Sequence, residues 1–127
     1  MRYVNGFFCV VLVLFAVVQY NDPDFALWFA IYGLAAAWAG VAAFRPSALR
    51  IGATTIGLVA CIAATVLGMA YMWPSEPGWW QRDVWWNNEL VREGMGLMIV
   101  MIALLAVALT RRLAGADRPE LDAGRSS

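Results

Sequence analysis

Residues 51–73 read IGATTIGLVACIAATVLGMAYMW, uncharged from end to end and closed by Pro74. A helix of about 20 apolar residues crosses a hydrocarbon core, so this stretch is long enough to span a bilayer unaided. Working outward, three more apolar runs flank it. Residues 25–44 follow Asp24 and stop at Arg45-Pro46, and residues 3–20 (YVNGFFCVVLVLFAVVQY) are again uncharged. Residues 90–110 are apolar except for Arg92 and Glu93 in the first turn, and Arg111-Arg112 end them. Arg2 gives the first run the look of a signal peptide, but no small-x-small cleavage site follows, so it reads as an uncleaved helix. The expected fold is an all-α integral membrane protein, a four-transmembrane-helix bundle.

Composition agrees. Hydrophobic residues make up 62% of the 127-residue chain, charged residues only 14%, and nine basic side chains balance nine acidic ones. A neutral, apolar chain offers no footprint for nucleic acid. Every base is Arg, and there is no His. That absence removes a Ser-His-Asp triad, an imidazole metal ligand and an axial haem ligand. Cys9 and Cys61, isolated in apolar runs, read as buried thiols rather than a disulfide or zinc framework.

Charge distribution orients the bundle. Arg2, Arg45, Arg50, Arg111 and Arg112 fall at one set of helix ends, whereas the other set holds Arg82 and Arg92 with Asp22, Asp24, Glu76, Asp83, Glu89 and Glu93. Basic residues favour the cytoplasmic side, so both termini are expected there. Residues 1–112 then form the transmembrane domain and residues 113–127 a flexible cytoplasmic tail. The outer connection 74–88 (PSEPGWWQRDVWWNN) is too polar to span and rich in Trp. It is expected to lie on the membrane surface as a lid, since Trp anchors at the headgroup level. Small residues at helix-packing spacing, Ala36 with Gly40, Ala53 with Gly57 and Ala64 with Gly68, point to close helix contacts.

Two outer segments concentrate the chemistry. In Tyr20-Asn21-Asp22-Pro23-Asp24, Asp22 before Pro23 suits a helix N-cap, but three oxygen-bearing side chains exceed what a cap needs. In Asn87-Asn88-Glu89-Leu90-Val91-Arg92-Glu93, helical spacing puts Glu89, Arg92 and Glu93 on one face. Arg92 neutralising the two acids, with an Asn cap, is the plain structural alternative. Ionisable groups entering an apolar run usually face the bundle interior and find a partner. If the segments meet, Asn21, Asp22, Asp24, Asn88, Glu89, Arg92 and Glu93 form one site, with Trp85 and Trp86 above it. Asp22, Asp24, Glu89 and Glu93 offer hard oxygen ligands suited to Ca²⁺, Mg²⁺ or Mn²⁺. A polar lipid headgroup is the alternative ligand. A membrane-embedded enzyme using Asp22 or Glu93 as base on a lipid-linked substrate, and an accessory subunit of a membrane complex, are the competing functions. Membrane lipids and a homo-oligomeric or membrane-protein partner are the expected contacts. Met69, Met72, Met95, Met98 and Met101 read as adaptable packing rather than a soft-metal site.

QYNDPD at residues 19–24, followed by an aromatic-rich second span, and Glu89 with Arg92-Glu93-Gly94 opening the last span resemble the transmembrane protein 220 family. The resemblance covers roughly residues 3–112. It implies a four-helix membrane protein and draws attention to these two motifs without naming a reaction. The Ala, Gly and Arg usage resembles a bacterial member, for which an inner-membrane location is expected.

Overall fold

The structure is a computed structural model. It describes residues 1–21, 24–73 and 77–126, the side chains of 21 and 115–126 excepted. Among the described residues the chain is all-helical: α1 (Arg2–Val18), α2 (Phe25–Phe44), α3 (Gly52–Tyr71), the short α4 (Arg82–Asn87) and α5 (Glu89–Ser126). Short 3-10 helices at Gln19–Asn21 and Pro46–Arg50 join α1 to α2 and α2 to α3. Helices are what long apolar runs dictate in lipid, where each backbone N–H and C=O must be satisfied within its own segment. Proline ends one of them: Pro46 has no N–H to continue the α2 ladder, and it opens the following 3-10 turn instead. Three helical stretches are long and apolar enough to cross a membrane: Phe25–Phe44, Gly52–Tyr71 and Glu89–Ala114. The 17 residues of α1 are apolar but shorter, about 26 Å at 1.5 Å per residue.

The core lies between α1, α2 and α5. Leu12 and Ala16 of α1 meet Ala35, Ala36, Ala39 and Ala42 of α2, and Val100, Ala103, Leu104 and Val107 of α5 close the other side. The alanines let α2 approach two neighbours at once, which matters where lipid supplies no hydrophobic drive between helices. Ala36 is buried, and Gly40 faces the Cys9 sulfur of α1. In α3 the expected pairs divide. Gly57 faces the Trp38 ring and Gly68 faces Leu97, whereas Ala53 and Ala64 are exposed. The reason is that α3 packs mainly on α5 and on the Pro46–Arg50 turn, and meets α2 chiefly through the Trp38 side chain. Leu58 and Thr65 are its only buried residues.

Two polar contacts fasten the end of the bundle that holds both the start of α1 and the loop from α2 to α3. Asn5, fully buried in α1, donates from Nδ2 to the Thr110 hydroxyl of α5 at 2.7 Å, and that hydroxyl donates to the Ala106 carbonyl. Arg111 Nε donates to the Leu49 carbonyl and to Thr55 Oγ1, each at 3.0 Å, tying α5 to the start of α3.

Candidate functional site: a carboxylate cluster at the α2 and α5 starts

The opposite end gathers the acids. Asp24 stands at the N-cap position of α2, yet its carboxylate makes no capping hydrogen bond. Instead, one carboxylate oxygen each from Asp24, Glu89 and Glu93 lie within 4.8 Å of one another. Asp24 and Glu89 are exposed, and Glu93 is half-buried. Helical geometry explains the α5 half: Glu89 and Glu93 are four residues apart and stack on one face. Crowding three carboxylates is costly, and the setting offsets part of that cost, because all three sit at helix starts where the macrodipole favours negative charge.

Beneath the cluster lies an aromatic column. Trp28, one turn below Asp24, is 2% exposed and donates its indole N–H to Glu93 Oε1 at 3.1 Å. A buried Trp N–H requires an acceptor, and here it fixes the half-buried carboxylate. Tyr32 follows one turn deeper, its ring 5.7 Å from Trp28 and 5.5 Å edge-on to Phe15 of α1. Its hydroxyl fits against α5 only because residue 96 is glycine; a Cβ there would collide with it.

The other residues singled out from sequence have different positions. Asn88 caps α5, its Oδ1 accepting the Val91 N–H at 3.3 Å, and Asn87 donates back to the Asp83 carbonyl. Arg92 Nη1 donates to the Trp86 carbonyl. In α4, Trp85 and Trp86 pack edge to face with centroids 5.9 Å apart, and the Arg82 guanidinium lies over Trp86 at 5.8 Å. The helix packs on α5, next to the cluster. Asp22, Pro74 and Glu76 lie outside the described residues, as does the Asn21 side chain. Met69 and Met72 pack against the core.

Trp28, Tyr32 and Gly96 were not among the sequence candidates. The signal was present in the spacing, since 24, 28 and 32 share one face of α2 while 89, 93 and 96 share one face of α5.

A second feature adjoins the cluster. Between α2 and α3 runs an apolar cleft of about 470 Å³, floored by Leu97, Val100 and Leu104 of α5. Trp28 lines the end beside the carboxylate cluster. At the end away from the cluster Trp38 crosses to α3 and donates its indole N–H to Cys61 Sγ at 3.4 Å.

Long apolar helices with a carboxylate cluster at one end of the bundle define the class as a helical membrane protein. Residues 11–109 match the family described as Transmembrane family 220, helix, and the chain belongs to that family. No curated protein and no solved structure matches it.

Proposed function

We propose that the chain is a four-pass protein of a bacterial inner membrane, with both termini cytoplasmic, whose outer face binds a divalent cation through Asp24, Glu89 and Glu93. The observation that carries the reading is the 4.8 Å mutual spacing of the three carboxylates, contributed by two different helices. Two oxygens on one Ca²⁺ at about 2.3–2.6 Å cannot be more than about 5 Å apart, so the spacing meets the condition for a shared ion. Asp24 supports it further: a residue serving only as a cap would bond its own helix start. Asp22, outside the described residues, is a further candidate oxygen donor in this proposal.

The four-pass topology has its own support. Asn5 near the start of α1 bonds Thr110 near the membrane end of α5, so the two helix ends lie at one level of the bundle. With α1 packed along α2, a membrane that encloses α2 encloses α1 as well. The Gln19–Asn21 turn lengthens that first crossing by about 6 Å.

The test is thermal unfolding of the detergent-purified chain with Ca²⁺ or Mn²⁺ and with chelator. An ion present at about 100 times its Kd is expected to stabilise the fold by about 2.7 kcal/mol. Asp24→Asn and Glu93→Gln should each abolish the shift. Their combined effect on unfolding in the presence of the ion should depart from additivity by about 0.5–3 kcal/mol. Additive losses, with no response to chelator, would reject the site.

A further inference from the structure

The cleft and the cluster are one turn apart and share a wall. Trp28 is the joint: its ring lines the cluster end of the cleft, and its N–H holds Glu93. Leu97, on the cleft floor, lies one turn below Glu93 on the same face of α5. The cleft exists because α2 and α3 lean on α5 separately and meet each other chiefly through the Trp38 side chain. Its rim residues Leu27, Leu34, Leu67 and Tyr71 are all exposed, so it opens sideways, at the level of the membrane, between the two helices. From Trp28 to Trp38 it follows ten residues of α2, about 15 Å of helix. Its volume falls in the range of about 300–1,000 Å³ typical of sites for small organic molecules.

From this juxtaposition we propose that the protein binds a glycerophospholipid, one acyl chain lying in the α2–α3 cleft and the phosphate completing the coordination of a divalent cation on Asp24, Glu89 and Glu93. The inference rests on the cation reading and adds its ligand. A groove with hydrocarbon outside it and apolar side chains within selects a chain over water or a polar solute, and the Trp38 bridge sets its depth. The head of the site supplies the second half. Three carboxylates leave positions open on a cation that takes six or more oxygens, and phosphate oxygens commonly fill such positions on Mg²⁺. Charge permits it. A divalent ion offsets two of the three acidic charges, and the Arg92 guanidinium, held by the Trp86 carbonyl, brings a further positive charge to the same end of α5. The positive ends of α2 and α5 then face the added anion. Among the described residues, none of α4 lines the cleft.

Two readouts on the purified full-length chain test this. One is the amount of dioleoyl phosphatidylglycerol retained after detergent exchange, and the other is Mn²⁺ bound, read from loss of the free-ion paramagnetic resonance signal. Dioleoylglycerol, with the same chains and no phosphate, is the headgroup control. The wild type should retain the phospholipid in Mn²⁺, lose it in chelator, and retain little dioleoylglycerol. Ala64→Phe fills the cleft from an exposed position on α3. It should lower phospholipid affinity at least about tenfold, some 1.4 kcal/mol, while Mn²⁺ binding persists. Leu67→Trp, at the rim, should act the same way. Glu93→Gln and Asp24→Asn should lose both ligands. Unchanged lipid retention in both cleft variants, with Mn²⁺ still bound, overturns the lipid proposal and leaves the cation site standing. Equal retention of phospholipid in chelator, or of dioleoylglycerol in Mn²⁺, overturns the phosphate contact and the proposal with it. Absence of Mn²⁺ binding by the wild type removes the cation reading itself.

Discussion

Trp28 joins the polar and apolar halves of the molecule through one hydrogen bond. Its indole N–H to Glu93 is a bond to an ionisable acceptor in a half-buried setting, a class whose net worth is about 1.5–3 kcal/mol. Trp28→Phe keeps an aromatic ring in the column but removes the donor. Chemical or thermal unfolding should show a loss of that order, and Glu93→Gln should cost less in the Trp28→Phe background than in the wild type. Equal costs in both backgrounds would mean that the bond contributes nothing. This residue also shows where sequence reading stops. A Trp near the outer end of a span reads as a headgroup anchor, because that is where most such residues sit. Only its burial at 2% exposure shows that it turns inward instead.

At the scale of helices, two contacts set how α5 lies against its neighbours, and both can be probed by pairs of substitutions. Gly96→Ala drives a methyl into the Tyr32 hydroxyl and should cost about 1–3 kcal/mol, as overpacking of a tight contact does. Tyr32→Phe should recover part of that loss. A double variant no more stable than Gly96→Ala alone would show that the clash is not with the hydroxyl. At the other end, Asn5 is satisfied on one side only. Its Oδ1 is buried with no hydrogen-bond partner among the described residues. Thr110→Val should therefore cost about 1–3 kcal/mol, since it leaves the whole Asn5 amide unpaired. Asn5→Leu, which removes both the donor and the orphan oxygen, should cost less, and the reverse order in an unfolding series would contradict this account. That the apolar runs form helices was legible, because lipid leaves a long uncharged run little else, but not every end was: α2 stops at Arg45-Pro46, whereas α5 continues past Arg111-Arg112 to Ser126. The lateral cleft was not legible, because it depends on α2 and α3 both choosing α5 over each other. No periodicity in either helix encodes that choice.

For the whole molecule, the prediction concerns sidedness. With five Arg at one set of helix ends and two at the other, reporter fusions after residue 112 should report the cytoplasm and a fusion at Gly78 the opposite side. The same side for both would remove the shared outer site from the outer face. The meeting of Asp24 with Glu89 and Glu93 was foreseeable only as far as parity: helix starts facing one way share a level, but level alone does not bring carboxylates within 4.8 Å. That last step is set one turn below, at Gly96. The Tyr32 hydroxyl seats where α5 has no side chain at Gly96, so a shift of α5 that carried Gly96 away would bring a side chain against it. The contact behaves as a detent that indexes the two helices against each other. The spacing of the three charged groups above is thus gauged by a residue that has no chemistry of its own.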